Sequence, residues 1–198
     1  MSFRQEDKIF CNKHQSFEIL NDLKKRGLNK IYPGRKILSI YFDNKALQMF
    51  KDSEEGVLPR KKIRFREYPD FSEEKFFETK ISSIEGRFKI TKKISNNQFN
   101  KHVSYGYYEK DYGECFPIAV IQYYRNYYVL EKFRFTFDQN IVYKKFNSSN
   151  SIQENFNVIE IKSPINLDNN FFDYTIYGTK NRFSKYSNAI NLLFKNQV

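Results

Sequence analysis

A chain of 198 residues, 40% hydrophobic and 18% aromatic, is long enough to bury one sizeable core and too short to suggest two, so a single domain over residues 1–198 is expected. Its formal charge of +11 asks for a polyanionic partner, and the negative mean hydropathy comes from charge rather than disorder. Cys11 and Cys115, with no C-x-x-C spacing, argue against a disulfide framework or a zinc site, and the lack of an apolar leader or membrane-length run points to the cytoplasm.

Met1 to Cys11 reads as a strand, and Ser16 is placed to cap a helix through Phe17, Ile19, Leu20 and Leu23 that stops at Gly27. Lys36 to Asp43 is β-rich; a helical patch around Ala46 to Lys51 and a turn at Glu55-Gly56 follow. Strands are then predicted over Arg60–Tyr68, Glu74–Ile81, Arg87–Ile94, Ala119–Leu130, Lys132–Asp138 and Asn157–Lys162, with loops at Ser95–Tyr112 and Asn147–Asn155. Tyr186, Ala189, Ile190, Leu193 and Phe194 have helical spacing, so the chain closes on a helix over Ser184–Phe194.

The informative signal lies in what alternates along the strands. Arg60, Lys62, Arg64 and Arg66 fall on one face of a strand, with Ile63 and Phe65 on the other. The same parity groups Arg4, Glu6 and Lys8; Glu78 and Lys80; Arg87 and Lys89; Arg134 and Asp138; and Glu160 and Lys162. A merely solvated face tends to mix Thr, Ser, Gln, Lys and Glu, whereas Arg and Glu-x-Lys pairs dominate here.

If the strands close into a barrel with these faces inward, cations (Arg125, Arg182 and Lys185 among them) outnumber acids, and such a lumen must stay wet or hold a polyanion. The guanidinium fork suits phosphate oxygens, and Lys adds point charges. Carboxylates facing phosphate make most sense as ligands of a hard divalent cation, Mn²⁺ or Mg²⁺, with Glu160, Glu6 and Glu78 preferred in that order. The competing reading of each is a salt bridge, and it is strongest for Glu78.

At this point the residues resemble a family, the VTC domain of vacuolar transporter chaperone polyphosphate polymerases within the triphosphate tunnel metalloenzymes. The resemblance rests on an ordered set of segments: Arg4-x-Glu6-x-Lys8, Ser39-Ile40-Tyr41-Phe42-Asp43, Arg60-x-Lys62-x-Arg64-x-Arg66, Glu78-x-Lys80, Tyr123-x-Arg125, Arg134-x-Thr136-x-Asp138, Glu160-x-Lys162 and Ser184-Lys185-Tyr186. It implies an α+β fold, an antiparallel β-barrel tunnel of about eight strands with flanking helices. It also implies phosphate contacts from Lys8, Arg64, Arg66, Lys80, Arg125, Arg134, Arg182 and Lys185, hydroxyl contacts from Tyr123 and Ser184, and a metal on Glu160. Arg64, Arg66, Lys80, Arg125 and Lys185 are taken as the catalytic set. Arg60, Lys62, Lys89 and Lys162 join the phosphate contacts; strand parity with Arg87 selects Lys89 over Lys92 and Lys93.

The activity so implied is transfer of the ATP γ-phosphoryl group to a growing polyphosphate, with ATP and polyphosphate as partners and a membrane-protein partner left open. Two other readings stand beside it: a tunnel triphosphatase that uses water as acceptor, and a non-catalytic polyphosphate or nucleotide sensor. The opening Arg4-Gln5-Glu6-Asp7-Lys8, in place of the Glu-x-Glu-x-Lys favoured by hydrolytic sister families, leans toward the polymerase. Nucleic acid is disfavoured, because the Glu of each Glu-x-Lys pair would repel a phosphate backbone. His14 and His102 sit in no catalytic motif and are assigned to surface or structural roles.

Overall fold

The structure, a computed structural model, describes residues 4–164, 179–180 and 183–195. Among them run β1 (Arg4–Cys11), α1 (Lys13–Lys25), β2 (Asn29–Asp43), α2 (Gln48–Glu55), β3 (Arg60–Tyr68), β4 (Ser72–Ser83) and β5 (Gly86–Ile94). There follow α3 (Asn96–Tyr105), β6 (Tyr107–Glu109), β7 (Gly113–Leu130), β8 (Phe133–Lys145), β9 (Ser151–Gln153), β10 (Asn157–Pro164), β11 (Thr179–Lys180) and α4 (Lys185–Leu193). Strands β6, β9 and β11 have three residues or fewer, which leaves eight long strands in the expected α+β architecture. Every pairing whose register is defined is antiparallel.

The described residues fall into two compact units, one drawn from Met1–Arg35, Tyr123–Ile141 and Gln153–Phe183, the other from Lys36–Gln122, Val142–Ile152 and Ser184–Val198. In the first unit the strand order is β11-β1-β10-β8-β7-β2. Alternation sends Ile9 and Cys11 of β1, Ile159 and Ile161 of β10, and Phe133, Phe135 and Phe137 of β8 to one face, where they pack with Ile19 and Leu23 of α1. Each fully buried aliphatic or aromatic side chain there contributes about 1.5–3 kcal/mol.

Helix α1 starts earlier than Ser16. Asn12 is its N-cap, accepting from the Gln15 backbone N–H at 2.8 Å while the Gln15 side chain accepts from the Asn12 N–H at 2.9 Å. Ser16 lies inside the first turn, donates to the Lys13 carbonyl and accepts from Asn157 Nδ2 at 2.8 Å. The helix ends as expected at Gly27, whose φ of +98° lets the Leu28 N–H return to the Leu23 carbonyl at 2.9 Å.

In the second unit β2, β3, β4 and β5 are successive neighbours, and β6 pairs with β7. Ile40, Phe42, Ile63 and Phe65 share a core with Met49 of α2, Tyr112 and Cys115. Asp43, fully buried, fixes the start of α2: Oδ1 accepts from Met49 N–H and Oδ2 from Phe50 N–H, both at 3.0 Å. The helix dipole favours a carboxylate there.

Other expectations are corrected as well: the loop expected over Asn147–Asn155 contains β9 (Ser151–Gln153), which pairs with β8. The loop expected over Ser95–Tyr112 contains α3 and β6; Ser95 and Gln98 form a capping box, and Phe99 and Val103 pack on the second core from a helix with no fully buried residue. A single apolar i,i+4 pair is too sparse to show as helical periodicity. Strands β2 and β7 also begin earlier than expected, at Asn29 and Gly113, running through Pro33-Gly34 and Pro117. Gly34 lets the Tyr124 hydroxyl and the Asn126 side chain lie close over β2; a Cβ there would come within 2.5 Å of both and make those side chains shift.

Candidate phosphate-binding faces

In the second unit the β3 alternation becomes a sheet face, since partners across a strand pair share a side. Across β3, β4 and β5, Lys62 stands opposite Lys80 and Lys80 opposite Lys89, a row of three lysines. Like charges directly opposite are destabilising. The next row holds Tyr41, Arg64, Glu78 and Thr91, and the one beyond it Ser39, Arg66 and Phe76.

Glu78, 2% exposed, is the acid that organises this face. Its Oε2 accepts from Arg64 Nε at 2.7 Å and Nη2 at 2.5 Å, its Oε1 meets Lys89 Nζ at 2.5 Å, and Arg66 Nε lies 3.8 Å away. Burial opposes ionisation, but Arg64, Arg66 and Lys89 outweigh it and bring the Glu78 pKa down to about 2. Arg64 Nη1 also donates to Tyr41 Oη at 2.7 Å. The Tyr41 ring stacks on Tyr186 at 5.1 Å, and the Tyr186 hydroxyl donates to Asp43.

Lys62 donates to Ser184 Oγ at 2.9 Å. Ser184, expected as a phosphate contact, is the N-cap of α4 and accepts from the Ser187 N–H. Lys185 is the first helical residue, half-buried. Arg60 donates to the Val57 carbonyl at 3.0 Å.

In the first unit the charged face is built on β1, β10 and β8. Lys8 is opposite Glu160 and Glu6 opposite Lys162; Glu160 is opposite Thr136 and Lys162 opposite Arg134. Lys8 Nζ meets Glu6 at 2.9 Å and the Phe183 carbonyl at 3.0 Å, while Lys162 Nζ meets Glu160 at 3.0 Å. Arg125 is held bidentately by the buried Asp138 at 2.5 and 2.6 Å, with Glu160 at 3.9 Å and the Tyr123 ring at 5.3 Å. Burial alone would lower the Arg125 pKa, yet Asp138 above all keeps it well above its ordinary value.

Each charged face thus gathers the sequence-selected residues of its own unit: Arg64, Arg66, Lys62, Lys80 and Lys89 with Glu78 in one, Lys8, Arg134 and Lys162 with Glu6 and Glu160 in the other. Arg182 lies outside the described residues. Ser39, Tyr41 and Thr136 stand on these faces, and the Tyr186–Asp43 pair supports Tyr41; the sequence reading assigned none of them a site role, although Ser39, Tyr41 and Asp43 show the same period-2 alternation.

The donor chemistry of the first unit fits a hard divalent cation. Glu6 and Glu160 are diagonal neighbours on one face, and Thr136, opposite Glu160, has a solvent-closed hydroxyl with no hydrogen-bond partner among the described residues. A cation that takes most of its ligands from phosphate needs few protein oxygens. Among the described residues no three His, Cys, Asp or Glu side chains converge into a ready-made cage. Glu78, engaged by three cations, is an ion-pair partner in this geometry.

The fold is that of several solved structures. A provisionally assigned adenylate cyclase from Bacillus halodurans is 13% identical with a TM-score of 0.59, the match covering 100% of this chain and 92% of that one. Another from Vibrio parahaemolyticus is 13% identical at a TM-score of 0.56, covering 96% and 98%. A third, from Hippeastrum and described as having a dominant triphosphatase activity, is 12% identical at a TM-score of 0.60, covering 96% and 95%. A search of curated proteins finds no match. The VTC domain model matches residues 3–194, and the chain belongs to that family.

Proposed function

We propose that the chain is a polyphosphate polymerase that transfers the γ-phosphoryl group of ATP to the end of a polyphosphate. The observation that carries this reading is the Lys62–Lys80–Lys89 row, side by side in register in a chain of the VTC family. Three lysines side by side, one of them paired with Glu78, concentrate point charges along a line that a chain of phosphates can follow.

In this reading Arg64, Arg66, Lys80 and Lys89 bind and orient phosphoryl oxygens, with Glu78 fixing the rotamer of Arg64. On the face of the first unit, Lys8, Arg125, Arg134 and Lys162 bind phosphate oxygens, and Glu160 with Glu6 would hold a divalent cation. A bound Mn²⁺ or Mg²⁺ supplies charge neutralisation on phosphate oxygens. A terminal oxygen of the acceptor chain forms a bond to the γ-phosphorus as the bond to the bridging oxygen breaks, and ADP leaves with that electron pair. Such a reaction needs positioning and electrostatics rather than a protein nucleophile.

Incubation with ATP and Mn²⁺, with products resolved on a gel, tests the proposal. Long polyphosphate supports it. Release of phosphate alone, the reading favoured by the Hippeastrum relative's described activity, replaces the polymerase with a triphosphatase, and polyphosphate binding without turnover replaces it with a sensor. A cytoplasmic site of action is part of the proposal; no helix among the described residues is long and apolar enough to cross a membrane.

A further inference from the structure

Strand β2 places two hydroxyl groups on the charged face of the second unit, each directly opposite an arginine: Tyr41 opposite Arg64 and Ser39 opposite Arg66. Both are buried, Ser39 at 1% and Tyr41 at 7% exposure. Arg64 can only donate, so in its 2.7 Å bond Tyr41 Oη is the acceptor, and the phenolic proton has no acceptor among the described residues. The Ser39 hydroxyl is closed to solvent and has no hydrogen-bond partner among the described residues. Two buried hydroxyls with unspent protons, two residues apart and aligned with two arginines, are costly in the free protein and useful only beside an added acceptor.

We propose that Ser39 and Tyr41 are phosphate-oxygen donors, a neutral rail on β2 that complements the cationic rail of β3. The inference rests on the reading of this face as a phosphate site and adds binding residues to it. Neutral donors supply directional hydrogen bonds without adding a further positive charge to a face that already carries several. Burial would make the Tyr41 phenol less acidic, but Arg64, Arg66 and Lys62 lower its pKa overall, and a more acidic phenol is a stronger donor to phosphate. The Tyr186 ring and its bond to Asp43 hold Tyr41 in place.

The test is calorimetric titration of the full chain with inorganic tripolyphosphate, without divalent cation, at two salt concentrations. Ser39→Ala and Tyr41→Phe are each expected to weaken binding about tenfold, the scale of one hydrogen bond to a charged group. That loss persists in high salt, where the loss from Lys80→Ala shrinks with screening. Ser39→Thr, which keeps the hydroxyl, retains most of the affinity. Ser39→Ala also melts no lower than the unaltered free protein, because it removes an unsatisfied buried group; a merely structural serine would give the opposite sign. If the unaltered protein binds tripolyphosphate and Ser39→Ala binds within twofold of it, the neutral rail is overturned while the phosphate site stands. If the unaltered protein does not bind, the proposed function falls and the inference with it.

Discussion

Glu78→Gln isolates the electrostatic centre of the second unit. The carboxylate is 2% exposed and is held by Arg64, Lys89 and Arg66. Its pKa falls from 4.5 to about 2 on folding, which corresponds to about 3 kcal/mol of stability. The folded-state value is the lower one, so this stability is complete above pH 4.5 and is lost as pH falls toward 2; at pH 3 about 2 of the 3 kcal/mol are gone. The amide keeps the shape of the side chain but leaves two buried arginines without their counter-charge. Urea unfolding at a series of pH values is expected to show Glu78→Gln less stable by about 3 kcal/mol at pH 7, a melting point lower by about 6–12 °C. The gap between the two proteins closes as pH drops through 4 toward 3. Saturating tripolyphosphate narrows it at pH 7, since phosphate supplies the missing negative charge. A deficit of the same size at pH 3 and pH 7 would refute the assignment of Glu78 as the ionised partner of these cations.

Lys80→Ala is expected to lower tripolyphosphate affinity at least tenfold at low salt, a loss that shrinks as salt rises, read by calorimetric titration. Tyr186→Phe takes a donor from the buried Asp43, whose pKa burial already pushes up, and is expected to cost about 1–3 kcal/mol in thermal unfolding. Asn12→Ala removes the N-cap of α1 and costs about 1 kcal/mol by urea unfolding, whereas Ser16→Ala loses the Asn157 contact instead, separating the observed cap from the one expected from sequence.

How much of the site was legible follows from which spacings are local. The parity of Arg60, Lys62, Arg64 and Arg66 is a property of a single strand, and it placed those residues on one face correctly. The lysine row is a property of register. Between β4 and β5 the register is set by the tight turn that pairs Ser83 with Gly86, so Lys80 opposite Lys89 is within reach of a sequence argument. Between β3 and β4 the register shifts at Glu67/Tyr68, and no count of residues from the turn would have put Lys62 opposite Lys80. Helix α3 was missed for a different reason: it presents only Phe99 and Val103 to the core, and its polar remainder reads as loop.

Parity also cannot say which cations are held by a buried acid, and the structure shows it for several of them. Arg64 and Arg125 looked equivalent to Lys80 along the chain, yet Arg64 is bound to Glu78 by two nitrogens and Arg125 bidentately to Asp138, both carboxylates almost fully buried. Those pairs set side-chain orientation, and much of their charge is spent within the protein. Lys62 donates to a neutral serine hydroxyl and stands opposite a second ammonium group. In the proposed site the lysines, Lys89 itself paired with Glu78, would act as flexible point charges that draw a polyanion, while the arginines, prealigned by their acids, would decide where each phosphate sits. On that division of labour, Lys80→Ala should lower the rate of tripolyphosphate association in a salt-dependent way, and Arg64→Lys, which keeps the charge and loses the fork, should raise the dissociation rate. Stopped-flow traces in which both variants altered the same rate constant would show that the two residue types share one role.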